Sequence, residues 1–574
     1  MTSPSTGPRP LLTLDDRVVA TLRRFGYLIA VGAVLASALG HRYGWLDYRP
    51  GGAAFDNQVR PVVTAIFVVA MLIALRWEII GGALAAFAGA ALIAFAANQL
   101  VAVHAVIVVA VLVVPALCWA LIDLADLSPR PAIVGVSGML AMAIAGLVAG
   151  QQVYAHFWGP THPESDVVAP PPSAIAWVWS GAVTSTSAEI RAHPRNDYET
   201  ARLALSTSAD LSDAVVVDAR DESGRVVGFE LDQLQPATQY HYAVEIDGDL
   251  DTTRAGTFRT FPEGASSFLV AIGSCARVGS NGAVFDTIAD LDPLFYLIAG
   301  DFHYGDNGRN DLVRYQEVMD LTLSEPAQAA LYRQTPVAYM WDDHDYGGND
   351  ADGNSPSRQA AMAAYREHVP SYGLSGDESA IYQAFTVGRV RFILTDARSA
   401  RNLQNDDNSD APSMLGPEQK TWLKQELIES SQTHELVVWL NPVPWIAAAE
   451  DGADHWGGYA VERREIADVI ADNDIDNLLM ISGDAHMVAI DDGTNTDYST
   501  DGYPGFPLLH AAPLDRPGSV KGGPYSEGVS ASGGQFATLE IADSGDTITA
   551  TMRGLTWDGE EIMRLDFTTP SRGT

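Results

Sequence analysis

Two hydrophobic patterns divide the chain. Up to residue 150 apolar positions run almost unbroken over about 25–40, 61–75, 79–97, 100–122 and 131–150, and a helix needs roughly 20 such residues to cross a bilayer. The last three runs reach that length. The first two are short, but Arg24, Arg42, Arg60 and Arg76 can snorkel from their ends, and Tyr43, Trp45 and Trp77 suit the interfaces. The pattern predicts about five transmembrane α-helices within residues 25–155, after an N-terminal segment 1–24. Arg9, Arg17, Arg23, Arg24, Arg76 and Arg130 fall on one side of these spans, and Arg42, Arg49 and Arg60 on the other. The richer side is expected in the cytoplasm, which puts everything after the fifth span outside. A rival reading takes Arg23-Arg24 and the apolar run to Ala36-Ser37-Ala38 as a cleaved export signal, and it leaves the C-terminal part outside as well. His104 and Cys118 in the fourth run read as a helix-end imidazole and a small buried thiol.

Beyond residue 155 the pattern changes twice. Residues 156–173, with Pro170-Pro171-Pro172, read as a semi-rigid spacer. Residues 174–261 alternate apolar and polar over short segments such as 187–191 and 240–246, separated by Asp/Gly/Ser turns, which predicts a β-sandwich. Its phrase Leu234-Gln-Pro-Ala-Thr-Gln-Tyr240-His-Tyr242 resembles the tyrosine-corner strand of fibronectin type III domains. From 266 to 570 apolar strands, polar loops and helices repeat, the mark of an α/β layered domain.

Charge sharpens this division. The 574 residues carry a net charge of −37, and because residues 1–150 hold nine Arg, no Lys and seven acids, the remainder carries −39. Such a surface repels a nucleic-acid backbone and excludes that class of partner. Two cysteines, Cys118 and Cys275, are too few for a disulfide framework, and one falls in a predicted span.

The chemistry stands at the ends of six apolar strands. The strand 268–273 ends in Ser274-Cys275-Ala276-Arg277, and 294–300 in Asp301-Phe302-His303-Tyr304. The strand 336–341 ends in Asp342-Asp343-His344-Asp345, and 390–395 in Asp396-Ala397-Arg398. Asn441 follows 435–440, and Ser482-Gly483-Asp484-Ala485-His486 follows 477–481. Carboxyl ends of strands are where α/β sheets bind ligands. Carboxylates, an amide, a phenol, a thiol and imidazoles gathered there suit two or more metal ions. Two metals a few ångströms apart can activate a hydroxide and grip both oxygens of an in-line phosphoryl displacement.

These residues resemble the PhoD-like alkaline phosphatase and phosphodiesterase family, within the calcineurin-like metallophosphoesterases. The resemblance spans most of 173–565 and includes Ser413-Met-Leu-Gly-Pro-Glu-Gln-Lys-Thr-Trp422 and Trp456-Gly-Gly-Tyr459-Ala-Val-Glu-Arg463. It implies layered α/β/β/α sheets preceded by a sandwich. It also implies Fe3+ held by Cys275, Asp301, Tyr304 and His486, and Ca2+ held by Asp301, Asp343, Asn441 and Asp484, with Asp301 bridging. Asp345 and Asp396 are left between an additional metal and a supporting role. The implied reaction is in-line attack by a metal-bridging hydroxide, with His344 beside the leaving oxygen and Arg398 or Arg277 as the phosphate clamp, set against a local salt bridge for either arginine.

The reading is a multi-pass membrane protein whose extracytoplasmic domain hydrolyses phosphate mono- or diesters, small esters first and lipid- or wall-linked diesters as further candidates. The alternative is a membrane adhesion or sensor protein whose sandwich binds a partner and whose α/β domain holds metal without catalysis. A channel or transporter is disfavoured, because the spans show neither clear charges nor broken helices.

Overall fold

A computed structural model describes residues 15–43, 60–96, 117–119, 121–122, 129–158 and, except for 224, 377–379, 403–411 and 517, residues 165–570. The chain forms two compact units, Met1–Trp158 and Gly159–Thr574.

The first unit is helical: α1 (Asp16–Tyr43), α2 (Arg60–Ala74), α3 (Glu78–Ala96) and α4 (Pro129–Trp158). Small residues such as Ala30, Ala70, Ala74, Ala85 and Ala88 are buried around Phe67 and Trp119, while Leu28, Leu72, Leu75, Ile133, Val134 and Leu140 are exposed. Arg23 pairs with Glu78 across α1 and α3. Among the described residues one segment, Ile133–Gln152, is long and apolar enough to cross a bilayer, and Ala65–Ala74 and Glu78–Ala91 are shorter apolar helices. That is fewer than the five predicted spans. Arg23 and Arg24 interrupt the apolar face of α1, α2 stops after 15 residues, and most of the fourth predicted span lies outside the described residues, His104 included.

The second unit opens with Ser165, whose backbone N–H bonds the Asn281 carbonyl at 2.8 Å, so the end of the predicted spacer lies against the unit. Eight strands follow: β1 (Ile175–Gly181), β2 (Ala188–Pro194), β3 (Ala201–Ser206), β4 (Val215–Asp218), β5 (Asp221–Ser223), β6 (Val226–Leu231), β7 (Gln239–Ile246) and β8 (Asp249–Arg259). One sheet runs β4-β3-β7-β8. β2 alternates buried and half-buried positions, as one face against a core requires. The tyrosine corner forms, with Gln235 N–H donating to Tyr240 Oη at 2.9 Å.

The α/β region contributes β9 (Phe268–Gly273), β10 (Phe295–Ala299), β11 (Val337–Met340), β12 (Gln383–Val387), β13 (Val390–Leu394), β14 (Leu436–Leu440), β15 (Leu478–Ser482), β16 (Val488–Asp491), β17 (Leu508–Ala511), β18 (Gly528–Ser530), β19 (Gln535–Asp543), β20 (Ile548–Thr556) and β21 (Glu561–Thr568). Two sheets result, β21-β20-β19-β9-β10-β11-β1-β2-β6-β5 and β12-β13-β14-β15-β17-β16-β18. The sandwich expected as a separate domain over 174–261 is therefore fused to the next: β1 lies parallel to β11, Gly181 opposite Val337, and the fully buried Ile-Ala-Trp-Val-Trp-Ser-Gly run has no solvent face to present as an edge.

Alternation within strands places the cores. Leu436, Val438 and Leu440 of β14 join β9–β11 residues such as Val270, Ile272, Leu297 and Met340 in the main core between the sheets. Val437 and Trp439 point the other way, onto Leu423 and Leu427 of α5 (Gly416–Thr433) and Ile466 and Ile470 of α6 (Ala460–Asp472). The sheets are layered, with helices outside.

Candidate metal centre

Register brings the strand ends together. Ala299 pairs with Met340 across β10–β11 and Ile298 with Gly273 across β10–β9, so Cys275, Asp301 and Asp342 leave neighbouring strands at the same level. In the second sheet Leu440 pairs with Ile481, which sets Asn441 beside the turn carrying Asp484. Cys275, Asp301 and Asp484 have φ of 61°, 51° and 59°, the left-handed region that non-glycine residues rarely adopt and that clusters at functional turns. Gly300, at φ 91°, permits the turn: a Cβ there would lie 2.6 Å from that of Asp342.

Two linked ligand groups form. Donor atoms of Cys275, Asp301 and His486 lie within 4.8 Å of one another, as do those of Asp301, Asp343 and His344, and of Asp342, Asp343 and Asp484. Tyr304 Oη joins the first group, donating to Asp301 Oδ2 at 2.6 Å and lying 2.9 Å from His486 Nε2. Cys275 Sγ is 3.5 Å from Asp301 Oδ2. Asn441 donates Nδ2–H to the Val443 carbonyl at 2.7 Å, which leaves its Oδ1 buried without a partner, like Asp484 Oδ2 and Asp342 Oδ2. Buried oxygens are seldom left so.

The electrostatics point the same way. Burial and then Asp301 push the Cys275 thiol well above its ordinary range. Burial and Asp343 raise Asp301 to about 6 although His344 and Tyr304 oppose this, and burial raises Asp484 against the pull of Lys521. Five acidic groups thus crowd a site that their own cations only partly neutralise. The residues fit metal ions: one donor set mixes thiol, phenol, imidazole and carboxylate, the other is oxygen alone.

The remaining expected residues fall into clear places. His344 Nδ1 lies 2.5 Å from Asp306 Oδ1, and its ring centroid is 4.1 Å from that of Tyr304. Burial lowers the His344 pKa, but Asp343, Asp306 and Asp301 outweigh it and lift the imidazole to about 10. Asp345 accepts from Phe302 N–H at 2.9 Å, Asp342 N–H at 2.6 Å and Tyr339 Oη at 2.5 Å. Asp396 accepts from Trp341 Nε1 at 2.9 Å and the Arg398 N–H at 3.0 Å. Both carboxylates are saturated by the protein and support the loops.

Arg398 is not where a phosphate clamp would stand. It is 0% exposed, its Nε 2.5 Å from Asp342 and its two amino groups 2.7 and 3.0 Å from the Asp454 oxygens. The guanidinium is spent on holding two carboxylates under the ligand cluster. Arg277 is paired with Asp515, 3.2 Å away. Sequence reasoning missed Asp306, Asp454, Lys521 and Arg516, whose guanidinium lies 3.5 Å over the Tyr304 ring. Asp306 sits just past the Asp301 phrase and was legible there; the others come from loops without a periodic signal.

Residues 269–507 match the family model of the PhoD-like phosphatases. Alkaline phosphatase D of Bacillus subtilis (strain 168) is 26% identical over 319 residues, covering 47% of this chain and 54% of that protein; the chain thus spans about half the length of this curated relative. A solved structure of PhoD superposes with a TM-score of 0.54 at 18% identity, over 69% of this chain and 90% of that one. Purple acid phosphatase PPD1 from yellow lupin (Lupinus luteus) gives 0.52 at 12% identity, over 69% and 74%. These two likenesses describe the fold, and it is residues 269–507 of this chain that match the PhoD-like phosphatase family model.

Proposed function

We propose that the chain is a metal-dependent phosphoester hydrolase, carried on a membrane by its N-terminal helices with residues 159–574 outside the cytoplasm. One observation carries the catalytic part: ligand atoms from the ends of β9, β10, β11 and β15 form overlapping sets of three, each within 4.8 Å, with buried oxygens of Asn441, Asp484 and Asp342 left without partners. Cys275, Asp301, Tyr304 and His486 would hold iron, and Asp301, Asp343, Asn441 and Asp484 calcium. When bound, such a pair supplies Lewis acidity that activates water and polarises the phosphoryl oxygens.

The chain's own groups do the rest. Asp306 takes Nδ1 of His344 and leaves Nε2 for the reaction. With Asp343 and Asp301 committed to cations, Asp306 is the carboxylate that keeps the imidazole protonated, and His344 is placed to donate that proton to the leaving alkoxide. Arg398 keeps Asp454 ionised against its burial and holds Asp342 and Asp454 in line. For the anchor, support comes from Ile133–Gln152 and from the exposed apolar side chains of α1, α2 and α4. The substrates would be small phosphate esters, with lipid- or wall-linked diesters as larger candidates.

The test uses full-length chain in detergent. Metals are quantified, and p-nitrophenyl phosphate and bis-p-nitrophenyl phosphate are assayed with and without chelator, beside Asp301→Ala. Chelator and D301A are both expected to abolish turnover, with metal content lowered in the variant. Hydrolysis indifferent to chelator, or none from fully loaded protein, would replace this reading by that of a partner-binding membrane protein.

A further inference from the structure

We propose that Lys521 is a substrate-phosphate ligand that biases the site toward phosphate monoesters; the proposal rests on the hydrolase reading above. The chain has three lysines among 35 Lys and Arg. Lys420 and Lys424 bond Glu465 on the outer helices. The third reaches into the metal-ligand cluster, its Nζ 2.6 Å from Asp484 Oδ1.

The geometry divides Asp484 between two tasks. Oδ1 takes the ammonium, while Oδ2 is buried without a partner, and one carboxylate oxygen stands within 4.8 Å of those of Asp342 and Asp343. A cation can therefore use Oδ2 while Lys521 stays on Oδ1. An ammonium has three N–H donors, and among the described residues Asp484 is the one hydrogen-bond partner of the Lys521 Nζ. The side chain is 39% exposed, which leaves room for a ligand on its remaining donors.

Its backbone is held in place from both sides. Ser519 N–H bonds the His486 carbonyl at 2.9 Å and Gly523 N–H the Ile446 carbonyl at 2.8 Å. Tyr525 Oη donates to the Lys521 carbonyl at 3.0 Å. At Gly522, φ 70°, a Cβ would lie 2.1 Å from the Ile446 carbonyl oxygen, so no side chain fits and the loop lies flat on the segment after β14. Of the other cations here, Arg398 and Arg401 are committed to Asp454 and Arg277 to Asp515, while Arg516 lies over the Tyr304 ring. Asp343, Asp350 and Asp454 also face this region, and an anion approaching them needs a positive contact. A monoester dianion carries one more charge than a diester anion and gains more from the ammonium.

The test compares full-length, metal-loaded wild type, Lys521→Met and Lys521→Arg for metal content, for inorganic phosphate affinity by calorimetry, and for kcat and KM on p-nitrophenyl phosphate and bis-p-nitrophenyl phosphate. K521M is expected to keep its metals and to bind phosphate roughly 10- to 100-fold more weakly. Its kcat/KM should fall further for the monoester than for the diester, mainly through KM, with K521R restoring much of both. Unchanged phosphate affinity and an unchanged monoester-to-diester ratio in K521M would overturn the assignment. So would equal losses on both esters that follow lost metal and are not rescued by arginine, since Lys521 would then only hold Asp484. Wild type that binds phosphate but cleaves neither ester defeats the hydrolase reading, and the phosphate affinity of K521M still decides the role of Lys521.

Discussion

Arg398 shows what a buried charge does when its partners are fixed. Its guanidinium joins Asp342, from the end of β11, to Asp454, from the loop before α6; against burial it and Arg401 hold Asp454 well below the usual carboxylate range, while burial keeps Asp342 well above it although Arg398 opposes this. Arg398→Met should destabilise the chain by roughly 3–5 kcal/mol, the usual cost of breaking a buried pair from one side. Thermal melts in chelator check this; a shift within error would mean that Arg401 alone suffices for Asp454. Cys275 raises a different question, because in the location proposed for residues 159–574 a free thiol is a liability. Its burial and its place 3.5 Å from Asp301 protect it, and its proposed use is as a soft ligand. Cys275→Ser should therefore fold normally and lose iron while calcium is retained. Unchanged iron content would leave the thiol without a task.

At the scale of elements, register does the assembly. The parallel pairing of β9, β10 and β11 delivers three strand ends to one level, and the short helix Asp343–Tyr346 starts there with a capping box between Asp342 and Asp345. The tyrosine corner is remote from this. Tyr240→Phe removes the bond from Gln235 N–H and is expected to cost about 1 kcal/mol in denaturant melts with kcat and metal content unchanged; a loss of turnover would show that the sandwich steers the site. Strands and their chemistry were legible because apolar runs such as Phe268–Gly273 and Leu436–Leu440 end abruptly in polar residues, and a strand's end is a local property. What was not legible is long-range. That β1 continues the sheet of β11 depends on both faces of the strand being buried, Trp177 and Trp179 on one and Ala176 and Val178 on the other, which an apolar run of seven residues does not reveal. That Arg398 faces Asp454, 56 positions away, and that Lys521 returns to Asp484 are facts of loop folding, and loops carry no period.

The whole molecule consists of two units of different surface. Residues 159–574 hold the ligand cluster and both large sheets, while most of the exposed large apolar side chains among the described residues belong to the helices before 159. A chain of residues 159–574 should therefore be water-soluble, hold metal and retain kcat/KM within a few-fold of the full chain, which then partitions with membranes while the shortened one does not. Aggregation or loss of metal in the short form would mean that the helices complete the fold. The order of the ten-stranded sheet adds a consequence for biosynthesis. β19, residues 535–543, lies between β20 and β9, so the strand that delivers Cys275 stays without its outer neighbour until residue 543 has been made, about 270 positions after that strand. A polypeptide broken off anywhere between the two leaves β9 open on that side, and no partly working protein is expected from it.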